Sequence, residues 1–252
     1  MPYTLVFPGQ GSQFVGMGKD LADAFTVAKE VFVEVNDALH EDLTQLMFSG
    51  DMEELTLTKN TQPALMAVSM AIIRVLQYDG KISLAKTFRY AAGHSLGEYT
   101  ALCAAGAMSI TTCAQLLRQR GLAMQEAVPF GKGGMVALIG ADMETAQAIA
   151  KEAAEKDVCV AANDNAPGQI VLSGDMVAID RAIEIAKQKG LKRAVKLNVS
   201  APFHSPLMAP AAKVMKEALD KADLYDLNFP VIANVSAKPI WKQTEIRPSL
   251  VQ

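Results

Sequence analysis

Gly93-His94-Ser95-Leu96-Gly97 constrains this chain more than any other segment. Phe88 to Ala92 before it is strand-like, with the small residues Ala91 and Ala92 leading in, and Leu96 to Ala105 after it is helix-like. A serine with glycine at both second neighbours, set between a strand and a helix, reads as a nucleophile elbow. The turn is sharp enough to leave no room for Cβ atoms two residues either side, and it presents the hydroxyl at the sheet edge. The pattern is short, and an ordinary glycine-flanked turn serine is the bland alternative.

Two further segments give the elbow a chemical context. Tyr3 to Phe7 reads as a buried strand, followed by the loop Pro8-Gly9-Gln10-Gly11-Ser12-Gln13, where an oxyanion hole would be built. Far downstream, Ser200 to Pro206 sets His204, one of only 3 histidines, in a proline-bracketed loop. A serine hydroxyl is too weak an acid to attack a carbonyl unaided, so it needs a base within hydrogen-bond reach. His204 is the candidate, because His40 lies on an amphipathic surface helix and the His94 side chain should point away from that of Ser95. The backbone N–H groups of Leu96 and Gln10 are the natural pair of oxyanion donors.

FPGQGSQ (Phe7 to Gln13), GHSLGEY (Gly93 to Tyr99) and SAPFHS (Ser200 to Ser205), with TQPAL at Thr61 to Leu65, closely resemble the malonyl-CoA:acyl carrier protein transacylases. The match runs in order along nearly the whole chain, and several motifs at consistent separations are far more specific than one. The resemblance implies a ping-pong reaction. Ser95 takes malonyl from malonyl-CoA as an ester, and the phosphopantetheine thiol of acyl carrier protein removes it, initiating fatty-acid elongation. Cofactors are expected to be none, coenzyme A entering only as a substrate thioester. Arg120-Gly121-Leu122-Ala123-Met124 resembles the family's RGxxM segment, which implies that Arg120 pairs with the malonyl carboxylate; for Arg118 a solvated helix face is expected. Leu96 and Phe203 resemble the malonyl-selecting versions of their motifs. Asn163 and Asn165 lie in a segment resembling NxNxPGQ and are expected either to line the cleft toward pantetheine or to bond only to their own turn.

The order of elements points to an α/β fold with an α/β-hydrolase-like large subdomain on a parallel sheet, over 1–130 and 199–252. Between them, 131–198 reads β-α-β-β-α-β, a ferredoxin-like small subdomain. Gly131, Gly133 and Gly134 read as its hinge, since no G-K-[ST] helix follows to make a phosphate loop. Pro63 is expected to open a helix with Val68, Ile72, Val75 and Leu76 on its apolar side.

A net charge of −3 argues against bulk attraction to nucleic acid. The charge-free stretch from Tyr99 to Leu117 invites a membrane reading, but Gly106 and Ser109 divide it into two core helices, so no membrane partner is expected. Cys103, Cys113 and Cys159 have no C-x-x-C pattern and suit reduced thiols in a cytoplasmic protein. The histidines lack paired-ligand spacing, so no metal is expected. Acidic carrier proteins imply a basic docking surface, and Lys187, Lys189, Lys192, Arg193 and Lys196 are the best candidates, with a solvated helix end as the alternative.

No aspartate stands out to orient the imidazole. The resemblance implies a backbone carbonyl near Gln252 instead, and a further strand and helix beyond it. The C-terminal part is therefore expected to be truncated, with exposed apolar surface where that segment would pack. The rival reading is an α/β-hydrolase-type thioesterase using the same Ser95 and His204, against which Arg120 and the inserted subdomain argue.

Overall fold

The structure, a computed structural model, describes residues 3–129, 131–197, 199 and 201–251. In chain order the elements are β1 (Tyr3–Phe7), α1 (Lys19–Ala24), α2 (Thr26–Leu39), α3 (Leu43–Ser49), α4 (Met52–Thr56), α5 (Thr58–Tyr78), α6 (Leu84–Thr87), β2 (Phe88–Gly93), α7 (Leu96–Ala104) and α8 (Ile110–Ala127). There follow β3 (Gly133–Ile139), α9 (Met143–Ala154), β4 (Cys159–Ala166), β5 (Gln169–Asp175), α10 (Met176–Gln188) and β6 (Arg193–Lys196). Last come α11 (Ala209–Lys221), β7 (Val231–Ile232), β8 (Pro239–Ile240) and α12 (Gln243–Val251). The chain forms two compact units, one of residues 1–122 with 214–252 and one of 123–213.

In the first unit the sheet order is β1-β2-β7-β8, with β1, β2 and β7 parallel and β8 antiparallel to β7. The elbow follows β2, flanked by β1 on one side and β7 on the other. All nine residues of α7 are buried, so this helix is core on every side rather than amphipathic. Among the described residues no helix is long and apolar enough to cross a membrane. Gly106, at φ 86°, ends the α7 segment, and Ser109 Oγ accepts from the Thr112 N–H at the start of α8, which divides Tyr99–Leu117 as the sequence predicts.

Three expectations need correction here. β1 is an edge strand, so Val6 and Tyr3 are 75% and 66% exposed where a buried strand was expected. Pro63 does not open α5, which begins at Thr58; Leu57 O already accepts from the Asn60 and Thr61 N–H groups, so the helix is under way before the proline. Ile72 points out at 46% exposure, while Leu65, Met66, Met70 and Ile73 fill the core. Nearly all of the helix before Ile72 is buried, so the core wraps around it instead of touching a single stripe.

The second unit carries a four-stranded antiparallel sheet, order β4-β5-β3-β6, crossed by α9 and α10. Its strands alternate cleanly. Val136 and Leu138 of β3, with Ile170 and Leu172 of β5, pack with Ile149 and Ile179 from the two helices. Their neighbours Met135, Ala137 and Val171 join Met124, Val128, Ala201, Phe203, Met208 and Ala211 in a separate cluster. That second cluster is why this unit takes in residues on both sides of 131–198. Gly133 and Gly134 are corrected from hinge to strand: they begin β3, and a Cβ on Gly133 would meet Pro202 Cδ at 2.4 Å.

Gly174 of β5 lies so close to β4 that a Cβ would sit 1.9 Å from Val158 O. Because that obstacle is backbone, Gly174→Ala is expected to destabilise the protein by about 3 kcal/mol in urea unfolding. An unchanged midpoint and slope would refute this packing.

Candidate active site

The elbow is built by contact between backbones. A Cβ on Gly93 would lie 1.9 Å from Gly97 C, and one on Gly97 would lie 2.7 Å from Phe7 O and 2.8 Å from Pro8 O. Ser95 between them is held at φ 53°, ψ −107°, a region costly for a residue with a side chain. The Ser95 N–H donates to Asn234 Oδ1 at 2.9 Å, and Asn234 Nδ2 donates to Gly93 O at 2.8 Å. One amide side chain thus closes the turn from both ends. Gly9, in the loop after β1, packs against the His94 ring.

Gln10 follows Gly9 directly, and its side-chain Nε2 donates to Thr58 Oγ1 at 3.3 Å. The N–H groups of Gly97 and Glu98 are taken by the carbonyls of His94 and Ser95. Among the described residues, no acceptor engages the main-chain N–H of Leu96 or of Gln10. Leu96, at the head of α7, also gains from the partial positive charge of a helix N-terminus.

Arg120 on α8 reaches Ser95. Its Nη2 donates to Ser95 Oγ at 3.1 Å and its Nη1 to Gln62 Oε1 at 2.9 Å, while the guanidinium lies 5.6 Å from the centre of the Tyr99 ring. Gly121 explains how α8 comes so near: a Cβ there would lie 2.5 Å from Lys59 Cα on the first turn of α5. Burial lowers the Arg120 pKa, opposed by Tyr99 and Glu98, and a guanidinium stays cationic at neutral pH throughout. Burial pushes the Glu98 carboxyl up to about 7, against the pull of the Asn234 main-chain N–H and of Arg120. Glu98 Oε1 has no hydrogen-bond partner among the described residues. Arg118 turns elsewhere, to Asn60 Oδ1 and Glu41 Oε2, both at 2.8 Å.

The remaining candidates belong to the second unit. His204 is exposed, at φ 57°, in a loop fixed by Pro202 against Gly133 and by Ser205 Oγ donating to Pro202 O at 2.7 Å. Phe203 is buried in that unit's second apolar cluster. Asn163 and Asn165 lie on β4 rather than in a turn; Asn163 pairs with Val171, and register shifts on either side of Asn163 and Asp164 leave Asn165 outside the ladder. Lys187, Lys189 and Lys196 pair with Glu184, Glu152 and Asp180 at 2.6, 3.0 and 2.8 Å. The acid-free run of the sequence is therefore not acid-free in space, because α9 and the preceding turn of α10 supply carboxylates. Lys192 and Arg193 are exposed, with no carboxylate within 4.0 Å among the described residues. Ser200 and Gln252 lie outside the described residues.

The acyl transferase domain matches residues 4–247. The chain belongs to the acyl transferase family. It is 46% identical to a malonyl CoA-acyl carrier protein transacylase of Bacillus subtilis strain 168, over 98% of this chain and 77% of that protein. To the Escherichia coli K12 protein of the same name it is 43% identical, over 99% of this chain and 80% of the relative. The acyl-carrier-protein-S-malonyltransferase of Bartonella henselae superposes on all of this chain and 80% of its own with a TM-score of 0.97 at 53% identity. A malonyl-transacylase solved in complex with its type II PKS acyl-carrier protein gives 0.95 at 43% identity, over 100% of this chain and 80% of that one.

Within this acyl transferase the sequence reading missed Gln62, Glu98 and Asn234. Gln62 stands inside the TQPAL motif, which flagged the segment but not the residue. Glu98 is in GHSLGEY, where the serine drew the attention. Asn234 has no sequence signal, because its role comes from β7 lying beside β2.

A carboxyl whose folded pKa exceeds its unfolded value stabilises fully below the unfolded value, and that stability is lost as pH rises through the folded one. For Glu98 the window runs from the ordinary 4.5 to about 7. Relative to Glu98→Gln, the wild type is therefore expected to lose on the order of 3 kcal/mol between those pH values in urea unfolding. Parallel stability curves for the two proteins would contradict the burial of this carboxyl.

Proposed function

We propose that the protein is an acyltransferase that moves malonyl from malonyl-CoA to the phosphopantetheine thiol of acyl carrier protein through a Ser95 ester, supplying fatty-acid elongation. The observation that carries the specificity is the Arg120 guanidinium at 3.1 Å from Ser95 Oγ. A three-carbon diacid esterified at that oxygen spans about 4 to 5 Å from Oγ to its free carboxylate, so the carboxylate falls within reach of the same guanidinium.

Ser95 Oγ attacks the thioester carbonyl, with His204 as the base that takes its proton and later returns it to the departing coenzyme A thiol. The main-chain N–H groups of Leu96 and Gln10, which have no other acceptor among the described residues, support the reading of both as oxyanion donors. The carrier-protein thiol then attacks the seryl ester by the same route in reverse. Acyl exchange between a thioester and an alcohol is redox-neutral, so the scheme uses no cofactor beyond the coenzyme A of the substrate. Phe203 is proposed to restrict substituents on the acyl chain, and Asn163 and Asn165 to meet the pantetheine arm.

The parallel β1, β2 and β7 with the elbow after β2 support an α/β-hydrolase-like first unit; the β-α-β-β-α-β order with β5 and β3 central supports a ferredoxin-like second unit. Three free, buried cysteines support a reducing, cytoplasmic setting. For carrier-protein docking, Lys192 and Arg193 are the strongest of the basic residues, since Lys187, Lys189 and Lys196 are already paired.

Intact-mass measurement with malonyl-CoA should show one malonyl ester that persists until carrier protein is added, and none on Ser95→Ala. Arg120→Ala should lower kcat/KM for malonyl-CoA about 100-fold, the loss of a charge-assisted pair, while improving acetyl relative to malonyl. Rapid release of free malonate without carrier protein would instead identify a thioesterase. Reversing Lys192 and Arg193 to glutamate should slow transfer to carrier protein about ten-fold and loading from coenzyme A much less; equal slowing would move the docking surface elsewhere.

A further inference from the structure

Glu98 is 4% exposed, and acyl transfer as written does not use it. It stands three residues after Ser95. Three groups bear on it: the Arg120 guanidinium from α8, the Asn234 main-chain N–H from beyond β7, and Tyr99 beside it on α7. Among the described residues, no charged side chain of β1, β2, β7 or α5, which also pack on α7, is among the groups that shift it.

With Glu98 ionised, the carboxylate and the guanidinium together carry no net charge. Loading a diacid adds a second carboxylate to the same poorly hydrated cluster, and two carboxylates sharing one cation in such a place are disfavoured unless one becomes neutral. The acyl carboxylate, held by the guanidinium fork, keeps its charge. Glu98 has one N–H donor and an Oε1 with no hydrogen-bond partner among the described residues, so it is the group that yields.

We propose that Glu98 takes up a proton when a carboxylated acyl group is loaded onto Ser95, holding the buried charge around Arg120 constant and coupling the loading of diacid acyl groups to pH. This rests on the malonyl reading of the site. In the loading step the thioester C–S bond breaks and an ester C–O bond forms at Ser95 Oγ. The serine proton leaves on the coenzyme A thiol, and Glu98 draws a separate proton from solvent. An acetyl group brings no charge and draws none.

Calorimetric loading with malonyl-CoA and with acetyl-CoA, in two buffers of different ionisation enthalpy, counts these protons, and intact mass counts the ester formed. At about pH 7.5 a thiol near its ordinary pKa stays protonated, and a carboxyl at about 7 is roughly three-quarters ionised before loading. The wild type is expected to take up about 0.7 proton per malonyl ester and none per acetyl ester. Glu98→Gln is expected to form the malonyl ester with no uptake. Correspondingly, half-saturation by malonyl-CoA should rise by up to ten-fold per pH unit above about 7 in the wild type relative to Glu98→Gln. A full malonyl ester without proton uptake, equal uptake with acetyl, or uptake that survives in Glu98→Gln overturns the proposal and leaves the malonyl reading standing. Failure to form any malonyl ester overturns that reading and the proposal with it.

Discussion

Everything at this site depends on how closely β2 and α7 can pass each other. Gly93 and Gly97 touch backbone to backbone, with the carbonyls of Phe7 and Pro8 pressed against Gly97 from β1. Ser95 has no relaxed conformation available between those contacts and takes a left-handed φ. Its neighbours then follow: His94 is turned toward Gly9, and Leu96 N–H sits at the first position of α7. Asn234 does not create this strain but offsets it, supplying the two hydrogen bonds that an ordinary turn would make with its own backbone.

Around that turn the first unit gathers polar groups that hydrophobic packing alone would exclude. Arg120, Gln62, Tyr99 and Glu98 lie in a unit whose core includes Leu96, Leu102, Leu117 and Met66. Charges in such surroundings persist only when each is answered by another. The second unit follows a simpler rule, since β3 and β5 at the centre of its sheet keep a two-residue alternation that separates its apolar residues into two clusters.

Much of this was legible in the chain because local rules governed it. Periodicity gave the six elements from β3 to β6 in their order, and glycine spacing gave the elbow with Ser95 at its tip. The RGLAM resemblance singled out Arg120, whose guanidinium donates to Ser95 Oγ. What stayed hidden depended on tertiary neighbours. Ile72 fits an apolar helix period yet faces out, because the core surrounds the earlier turns of α5. Lys187, Lys189 and Lys196 have no acids between them in sequence but meet Glu184, Glu152 and Asp180 across turns and helices. Asn234 and Gln62 matter only through residues 139 and 58 positions away, and no window of sequence contains such pairs.

Gly121 has a consequence of another kind. It, and not Arg120, sets how near α8 comes to α5, through contact with Lys59 Cα and Thr58 O. The residue that sets the helix crossing and the guanidinium that reaches Ser95 are thus adjacent in sequence but separate in duty. A chain of this design can exchange the side chain at position 120, together with its partner at 62, and keep the helix crossing intact.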